Sequence, residues 1–104
     1  VNISSVVGIK GYSRQSAYTA SKHALRGMSI SLAEELRDTN VRVHVICPGG
    51  VDTEMVGGVR PDIAKDERID PKEIAELVGY LVTHKGNAVM DELRIRRAAS
   101  SPWF

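Results

Sequence analysis

The chain has 104 residues, a length that suits one domain with its own core. Its 14 Lys and Arg residues nearly balance 13 Asp and Glu, which argues against a protein that holds nucleic acid or an anionic membrane by charge. No apolar run could span a bilayer, and a single cysteine, Cys47, excludes an internal disulfide and favours a reducing, cytoplasmic compartment.

The first half of the sequence predicts a strand, a long helix and a second strand. Residues 1–3 form the first strand, the helix runs from Ser16 to about Asp38, and the β-branched residues 41–46 form the second strand. Strands joined through a helix should be parallel. We expect Asn40 to cap the end of the helix. Its apolar stripe, expected in the core, consists of Ala17, Ala20, Ala24, Met28, Ala33 and Leu36.

The second half predicts a loop, a helix and a last strand. Residues 51–70 are rich in glycine, proline and charge, which indicates a mobile loop with one short helix near Glu54. Asp70 and Pro71 predict the start of a helix that ends at Gly86. Residues 92–96 alternate as in a half-exposed strand, which the basic residues Arg94, Arg96 and Arg97 should decorate. The core stripe of the helix is Ile74, Ala75, Leu77, Val78, Leu81 and Val82.

Tyr18 and Lys22 are the residues most indicative of chemistry. Because they are four residues apart on a predicted helix, they share one face and can act on one ligand. A phenol has a pKa of about 10, and a nearby ammonium group favours its ionised form. Ser5, at the end of the first strand, offers a hydroxyl to the same ligand. The three residues predict a general acid/base that transfers a proton to or from an oxygen.

Three segments together resemble the short-chain dehydrogenase/reductase family, carboxyl-terminal half. Residues 2–8, Asn-Ile-Ser-Ser-Val-Val-Gly, are similar to its serine motif; residues 18–22 match its Tyr-x-x-x-Lys motif; and residues 48–53 match its Pro-Gly turn ending in threonine. The resemblance implies half of a Rossmann-type doubly wound parallel sheet, with residues 1–104 as the carboxyl-terminal part of one domain. A chain that opens at Val1 without methionine agrees with a fragment.

The resemblance also implies a function, NAD(P)-dependent hydride transfer between nicotinamide and an alcohol or carbonyl substrate. Tyr18 would be the acid/base, Lys22 would lower its pKa and hold the nicotinamide ribose, and Ser5 would bind the substrate oxygen. The implied cofactor-binding residues are Tyr18, Lys22, Pro48, Gly49, Val51 and Thr53. The choice between NAD and NADP stays open, because the glycine-rich phosphate fingerprint is absent from these residues. A 3-oxoacyl-thioester reductase is one interpretation within this class.

Two alternatives remain at this point. The chain could be a non-catalytic fragment that requires an amino-terminal half, since unpaired strand edges promote association. It could instead resemble the extended relatives, epimerases or dehydratases, although the thirteen-residue spacing from Ser5 to Tyr18 argues against them. Family members commonly pair through the helix that starts at Ser16, which implies a homodimer or homotetramer.

Several residues near these motifs have simpler interpretations. Ser4 could replace Ser5, but its side chain should point to the other face of the strand. Thr53 could cap a short helix as well as bind the cofactor. Tyr12 and Arg14 could line the substrate pocket. Cys47 should be a packed thiol rather than a nucleophile, and the three histidines lack metal-ligand spacing, so we expect no metal.

Overall fold

A computed structural model describes residues 1–103 and contains a three-stranded parallel sheet connected by helices. The strands, in spatial order, are β1 (Asn2–Ile3), β2 (Val45–Pro48) and β3 (Glu92–Ile95). Both pairings are parallel. In their register, Asn2 pairs with Val45, and Val45 pairs with Glu92. The predicted α/β class and the parallel first pair of strands are therefore confirmed.

Three helices occupy the connections. They are α1 (Ser16–Glu35), α2 (Glu54–Val59) and α3 (Pro71–Thr83), with single 3₁₀ turns at Val6–Gly8 and Lys65–Glu67. The predicted short helix near Glu54 is thus confirmed as α2. Within residues 1–103, no helix combines the length and apolar character needed to cross a bilayer.

Helix α1 ends earlier than the sequence predicts. Its last residue is Glu35 rather than Asp38, and Leu36 is the cap rather than Asn40. The reason is Thr39, whose backbone N–H and hydroxyl both donate to the Leu36 carbonyl, at 2.9 and 2.7 Å. This local turn replaces the next helical hydrogen bonds.

Strand β2 is shifted along the chain from its predicted position. The strand was predicted at residues 41–46, but the ladder begins only at Val45 and continues to Pro48. Its neighbours set this start, because Asn2 of β1 and Glu92 of β3 both pair with Val45. Residues 41–43 have no strand beside them, and β propensity alone does not form a ladder.

Helix α3 starts as predicted and stops before Gly86. The Asp70 carboxylate accepts from the Lys72 N–H at 2.9 Å, and the Glu73 carboxylate accepts from the Asp70 N–H at 3.0 Å. This reciprocal arrangement satisfies donors that the first turn would otherwise leave unpaired. The helix ends at Thr83, where the backbone of His84 becomes extended.

The core of the described chain is centred on β2, all four residues of which are buried. The predicted apolar stripe of α1 is largely not part of it: Ala17, Ala20 and Ala24 are exposed, and Met28 is 52% exposed. On α3, Leu81 is buried and three other members are half-buried, but Ala75 and Val82 are exposed. The core interpretation was wrong for the exposed residues; α1 instead contacts β1 through the buried Ser29.

Helix α1 contacts the sheet through polar groups. The Asn2 amide of β1 donates to the Ser29 hydroxyl at 2.9 Å, and Ser29 is the one buried residue of α1. Arg26, three residues earlier, makes a two-point hydrogen-bonded ion pair with Glu92 of β3. These bonds connect the helix to the first residues of the first and the last strand.

Candidate active site

A cleft of about 940 Å³ lies where the carboxyl ends of the strands meet. Ligands of open α/β sheets bind at this edge, because strand ends and helix starts converge there. Every site residue predicted from the sequence lines this cleft. They are Ser5, Tyr18, Lys22, Pro48, Gly49, Val51 and Thr53.

Tyr18 and Lys22 lie side by side on the first two turns of α1. The Lys22 Nζ is 5.7 Å from the centroid of the Tyr18 ring, and both side chains are half-buried. The ammonium group also donates to the carbonyl of Ile3 at 3.2 Å, which fixes it against the end of β1. The phenol and the amine therefore share one side of the helix and one cavity.

The two serines after β1 have different roles in the structure. The Ser4 hydroxyl donates to the Lys22 carbonyl at 3.0 Å and fastens the strand end to α1. The Ser5 hydroxyl accepts from the Val7 N–H at 3.1 Å and caps the 3₁₀ turn. Since Ser5 uses its oxygen as an acceptor, its own hydrogen can be donated to a ligand in the cleft.

The turn after β2 exposes backbone groups to the cleft. Gly50 has φ of +64°, the left-handed region that favours glycine, and an added Cβ would lie 2.5 Å from the Arg97 side chain. The Gly50 carbonyl and the Asp52 N–H are both bonded to Ile69, at 2.9 and 2.8 Å. The N–H and carbonyl of Val51, between them, have no backbone partner among residues 1–103.

Thr53 caps α2 and lines the cleft as well. Its hydroxyl accepts from the Val56 N–H at 3.3 Å, so the capping interpretation is confirmed. The hydroxyl hydrogen is not used in that bond and can still be donated to a ligand. The two roles proposed for Thr53 are therefore compatible.

The rim of the cleft carries basic side chains that the sequence placed elsewhere or did not single out. Tyr12 and Arg14 line it as predicted, but Arg96 and Arg97 were expected on the last strand. That expectation was wrong, because β3 ends at Ile95 and the chain then turns over the cleft. Arg60, at the end of α2, lines the cleft too, and no sequence pattern had singled it out.

Cys47 and the histidines have structural environments. Burial raises the pKa of the Cys47 thiol, which opposes a nucleophilic role. His44 is buried and its Nδ1 lies 2.7 Å from the Met90 carbonyl, while His23 contacts Thr19 on the helix surface. The described residues contain no group of three or more His, Cys, Asp or Glu able to hold a metal ion.

The ion pair between Arg26 and Glu92 holds α1 to β3. Hydrogen bonding to Arg26 holds the pKa of the Glu92 carboxyl below its usual range, and the same bond raises the pKa of Arg26. Arg94 reinforces the effect with a 3.0 Å bond to Glu92. Arg26 lies one turn beyond Lys22, so the pair fixes this part of α1 to the start of β3.

The family model of short chain dehydrogenases matches residues 1–64. The chain belongs to this family, and the resemblance found in its motifs is confirmed. Acetoacetyl-CoA reductase of Acinetobacter sp. strain RA3849 is 41% identical over 100 residues, covering 88% of this chain and 40% of that protein. The chain spans 37–40% of the length of the first curated relatives it matches.

Solved structures of family members superpose on the chain. A short chain dehydrogenase of Escherichia coli CFT073 complexed with NADPH has a TM-score of 0.76 at 31% identity, covering 89% of this chain and 38% of its own. A 4-hydroxyisoleucine dehydrogenase mutant complexed with NADH and succinate has a TM-score of 0.80 at 29% identity, covering 92% and 44%. The predicted partial Rossmann-type fold is confirmed.

Proposed function

We propose that the chain carries the proton-transfer half of an oxidoreductase that moves a hydride between nicotinamide and an alcohol or carbonyl group. The observation that supports this proposal is the convergence of Ser5, Tyr18 and Lys22 in one cleft beside the turn after β2. A phenol placed beside a substrate oxygen can act as a general acid or base.

Each of the three residues has a separate task in this proposal. The Tyr18 hydroxyl gives a proton to the substrate oxygen during reduction and takes it back during oxidation. The Lys22 ammonium group, held by the Ile3 carbonyl beside the Tyr18 ring, can reach a ribose hydroxyl. Ser5 donates its hydrogen to the same substrate oxygen, which stabilises negative charge as it develops there.

The residues after β2 fit a nicotinamide cofactor. A carboxamide has one acceptor and one donor group, and the backbone of Val51 offers a free N–H and carbonyl within the described chain. The Thr53 hydroxyl and the glycines before Val51 would hold and admit the ring. When bound, NAD or NADP would supply or accept the hydride. Relatives crystallised with NADPH and with NADH support both forms.

The substrate class is the finer part of the proposal. The similarity to acetoacetyl-CoA reductase supports a 3-oxoacyl thioester as one substrate. Residues of the loop that contains α2, among them Met55, Val59 and Ile63, line the cleft and would contact the substrate chain.

A second proposal concerns how the chain acts. We infer that residues 1–104 do not turn over substrate alone, because they span only about 40% of reductases they resemble and contain no glycine-rich phosphate fingerprint. We also infer that α1 pairs with its copy in a homodimer or homotetramer. The exposed Met28 and Ile30, at 52% and 56%, support an apolar contact there.

The test uses a chimera in which this chain replaces the matching segment of the Acinetobacter acetoacetyl-CoA reductase. We expect the chimera to oxidise reduced nicotinamide with acetoacetyl-CoA, and Tyr18→Phe to lower kcat by about 10²- to 10⁴-fold, as for the loss of a general acid. Cofactor affinity, measured by fluorescence titration, should change little.

Tyr80→Phe is the matched control, because Tyr80 is an exposed tyrosine of α3 that stacks on His84 outside the cleft. Its kcat should equal that of the unmodified chimera. Unchanged turnover in Tyr18→Phe would refute the acid/base role. Turnover by the isolated chain would refute the inference that it needs a further part.

A further inference from the structure

The charged side chains that line the cleft are all positive, although the whole chain is nearly neutral. Six of the lining side chains are cationic, and none of the described lining residues carries a carboxylate. The six are Lys10, Arg14, Lys22, Arg60, Arg96 and Arg97. An apolar cleft lined by one sign of charge focuses its field on whatever enters. The site therefore favours an anion.

Carboxylates outside the cleft neutralise two of these cations. Asp62 accepts from Arg60 Nε and Nη2 at 3.0 and 2.9 Å, and Glu67 lies 3.5 Å from Arg97. The bonds to Asp62 hold the Arg60 guanidinium in place and leave Nη1 without an acceptor among residues 1–103. Arg60 is therefore both positioned and still able to donate.

The Tyr12 ring contacts two of these cations. The Lys10 ammonium group is 4.9 Å from the centroid of the Tyr12 ring, and the Arg60 guanidinium carbon is 5.8 Å from it. Both distances suit cation–π contacts. The ring thus contacts one cation from the loop before α1 and one from the end of α2.

Arg14 is the cation with no structural use in the described chain. Its guanidinium makes no ion pair or hydrogen bond with residues 1–103, and it lines the same cleft. Its backbone has φ of 64°, a conformation that favours glycine or asparagine over arginine. An arginine at such a position makes sense if its side chain serves a ligand.

We propose that Arg14 and Arg60, which line the cleft together with Tyr12, bind an anionic group of the substrate, so that the enzyme acts on carbonyl or hydroxyl compounds bearing a carboxylate or phosphate. This inference rests on the proposed function and narrows its substrate class. Guanidinium groups suit the task, because their planar donors match carboxylate and phosphate oxygens.

The test compares acetoacetate with acetoacetamide, which has nearly the same shape but no charge. Both are titrated into the isotope-labelled chain, and the Arg Nε–H and Tyr12 signals are followed by NMR. We expect acetoacetate, and not the amide, to shift the signals of Arg14 and Arg60, with an affinity that falls as salt is added. Equal binding of both compounds, or of neither, would overturn the proposal.

Variants separate the proposed residues from general surface charge. Arg14→Gln and Arg60→Gln should each weaken acetoacetate binding roughly tenfold, the effect of losing one charged hydrogen bond, and Arg14→Lys should keep part of it. Arg42→Gln is the control, because Arg42 bonds Gly86 away from the cleft. Unchanged affinity in both glutamine variants contradicts the proposal.

NADH serves as the competing probe. If Arg14→Gln and Arg60→Gln weaken NADH binding to the chimera as much as they weaken acetoacetate binding, the two arginines belong to the cofactor and the proposal fails. Tyr18-dependent turnover that is equal for acetoacetate and acetoacetamide would contradict only the proposed preference for an anionic substrate. Selective anion binding without any turnover by the chimera would instead sink the proposed function.

Discussion

Lys22 connects the chemistry of the site to its framework. Its ammonium group donates to the Ile3 carbonyl, and its own carbonyl accepts from the Ser4 hydroxyl. Both bonds join α1 to the end of β1, so the residue next to the phenol is held at two points. A side chain restrained in this way loses little further entropy when a ligand binds.

Glu92 should make the stability of the fold depend on pH. Its folded pKa is lowered by Arg26, so its contribution to stability is full above the unfolded pKa and is lost as pH falls through the folded pKa. Glu92→Gln should lower the free energy of unfolding at pH 7 by about 1 kcal/mol, as for a partly buried charged hydrogen bond. The difference from the parent should shrink in strong acid. Urea denaturation at a series of pH values measures both effects.

Glu34→Gln is the control for that measurement. Glu34 pairs with Arg37 at 3.3 Å, but both side chains are about 70% exposed, and such surface pairs contribute little. Its free energy of unfolding should stay within a few tenths of a kcal/mol of the parent. An equal loss in both variants, or a loss in Glu92→Gln that does not depend on pH, would show that the ion pair to Arg26 is not the cause.

The residues of the cleft differ in how far the sequence could predict them. Tyr18 and Lys22 share a face on any helix, so their proximity follows from a spacing of four. The bond between Arg26 and Glu92 joins residues 66 apart, and only the docking of β3 brings them together. Arg60 likewise faces the cleft because α2 packs there, which local sequence does not encode.

Among the elements, helix starts were predicted better than helix ends. Asp70 and Pro71 determine the start of α3 through bonds made within four residues, so the signal is local. The end of α1 depends on the turn at Thr39, and the start of β2 depends on where its neighbours pair. The outward apolar stripe of α1 was misassigned, because a helical pattern identifies an apolar face without saying what covers it.

Asp70 should stabilise the first turn of α3. Asp70→Ala removes the acceptor for the Lys72 N–H, and loss of such a cap should lower the free energy of unfolding by about 1 kcal/mol. Loss of the cap should also increase local opening of the first turn of α3, as measured by amide hydrogen exchange. This opening would affect the cleft, because Pro71 and Ile74 line it. Asp66→Ala, in the exposed 3₁₀ turn before it, is the control and should leave both quantities nearly unchanged.

At the scale of the whole molecule, several large apolar side chains remain in water. Those on the two long helices include Met28 and Ile30 on α1, and Val82 on α3. Surface of this kind commonly marks an interaction site. The two helices therefore offer a direct comparison of which face pairs with a second copy.

The proposed pairing through α1 leads to a prediction about assembly. Met28→Lys should shift the protein toward monomer, because a charge in an apolar contact must be desolvated. Val82→Lys, which places the same charge on α3, should leave the oligomer intact. Sedimentation velocity across a concentration series measures the distribution. A dimer that survives Met28→Lys and is lost with Val82→Lys would assign the contact to α3.

The register of the sheet has a consequence for how the chain folds. Each ladder joins segments more than forty residues apart, Asn2 with Val45 and Val45 with Glu92. Such pairings form only after long loops have closed, which slows folding, whereas α1 can begin to wind from its own neighbours. The strand ends that shape the cleft are thus expected to assemble last, and a newly made chain would hold its helical tyrosine and lysine in place before the cavity around them exists.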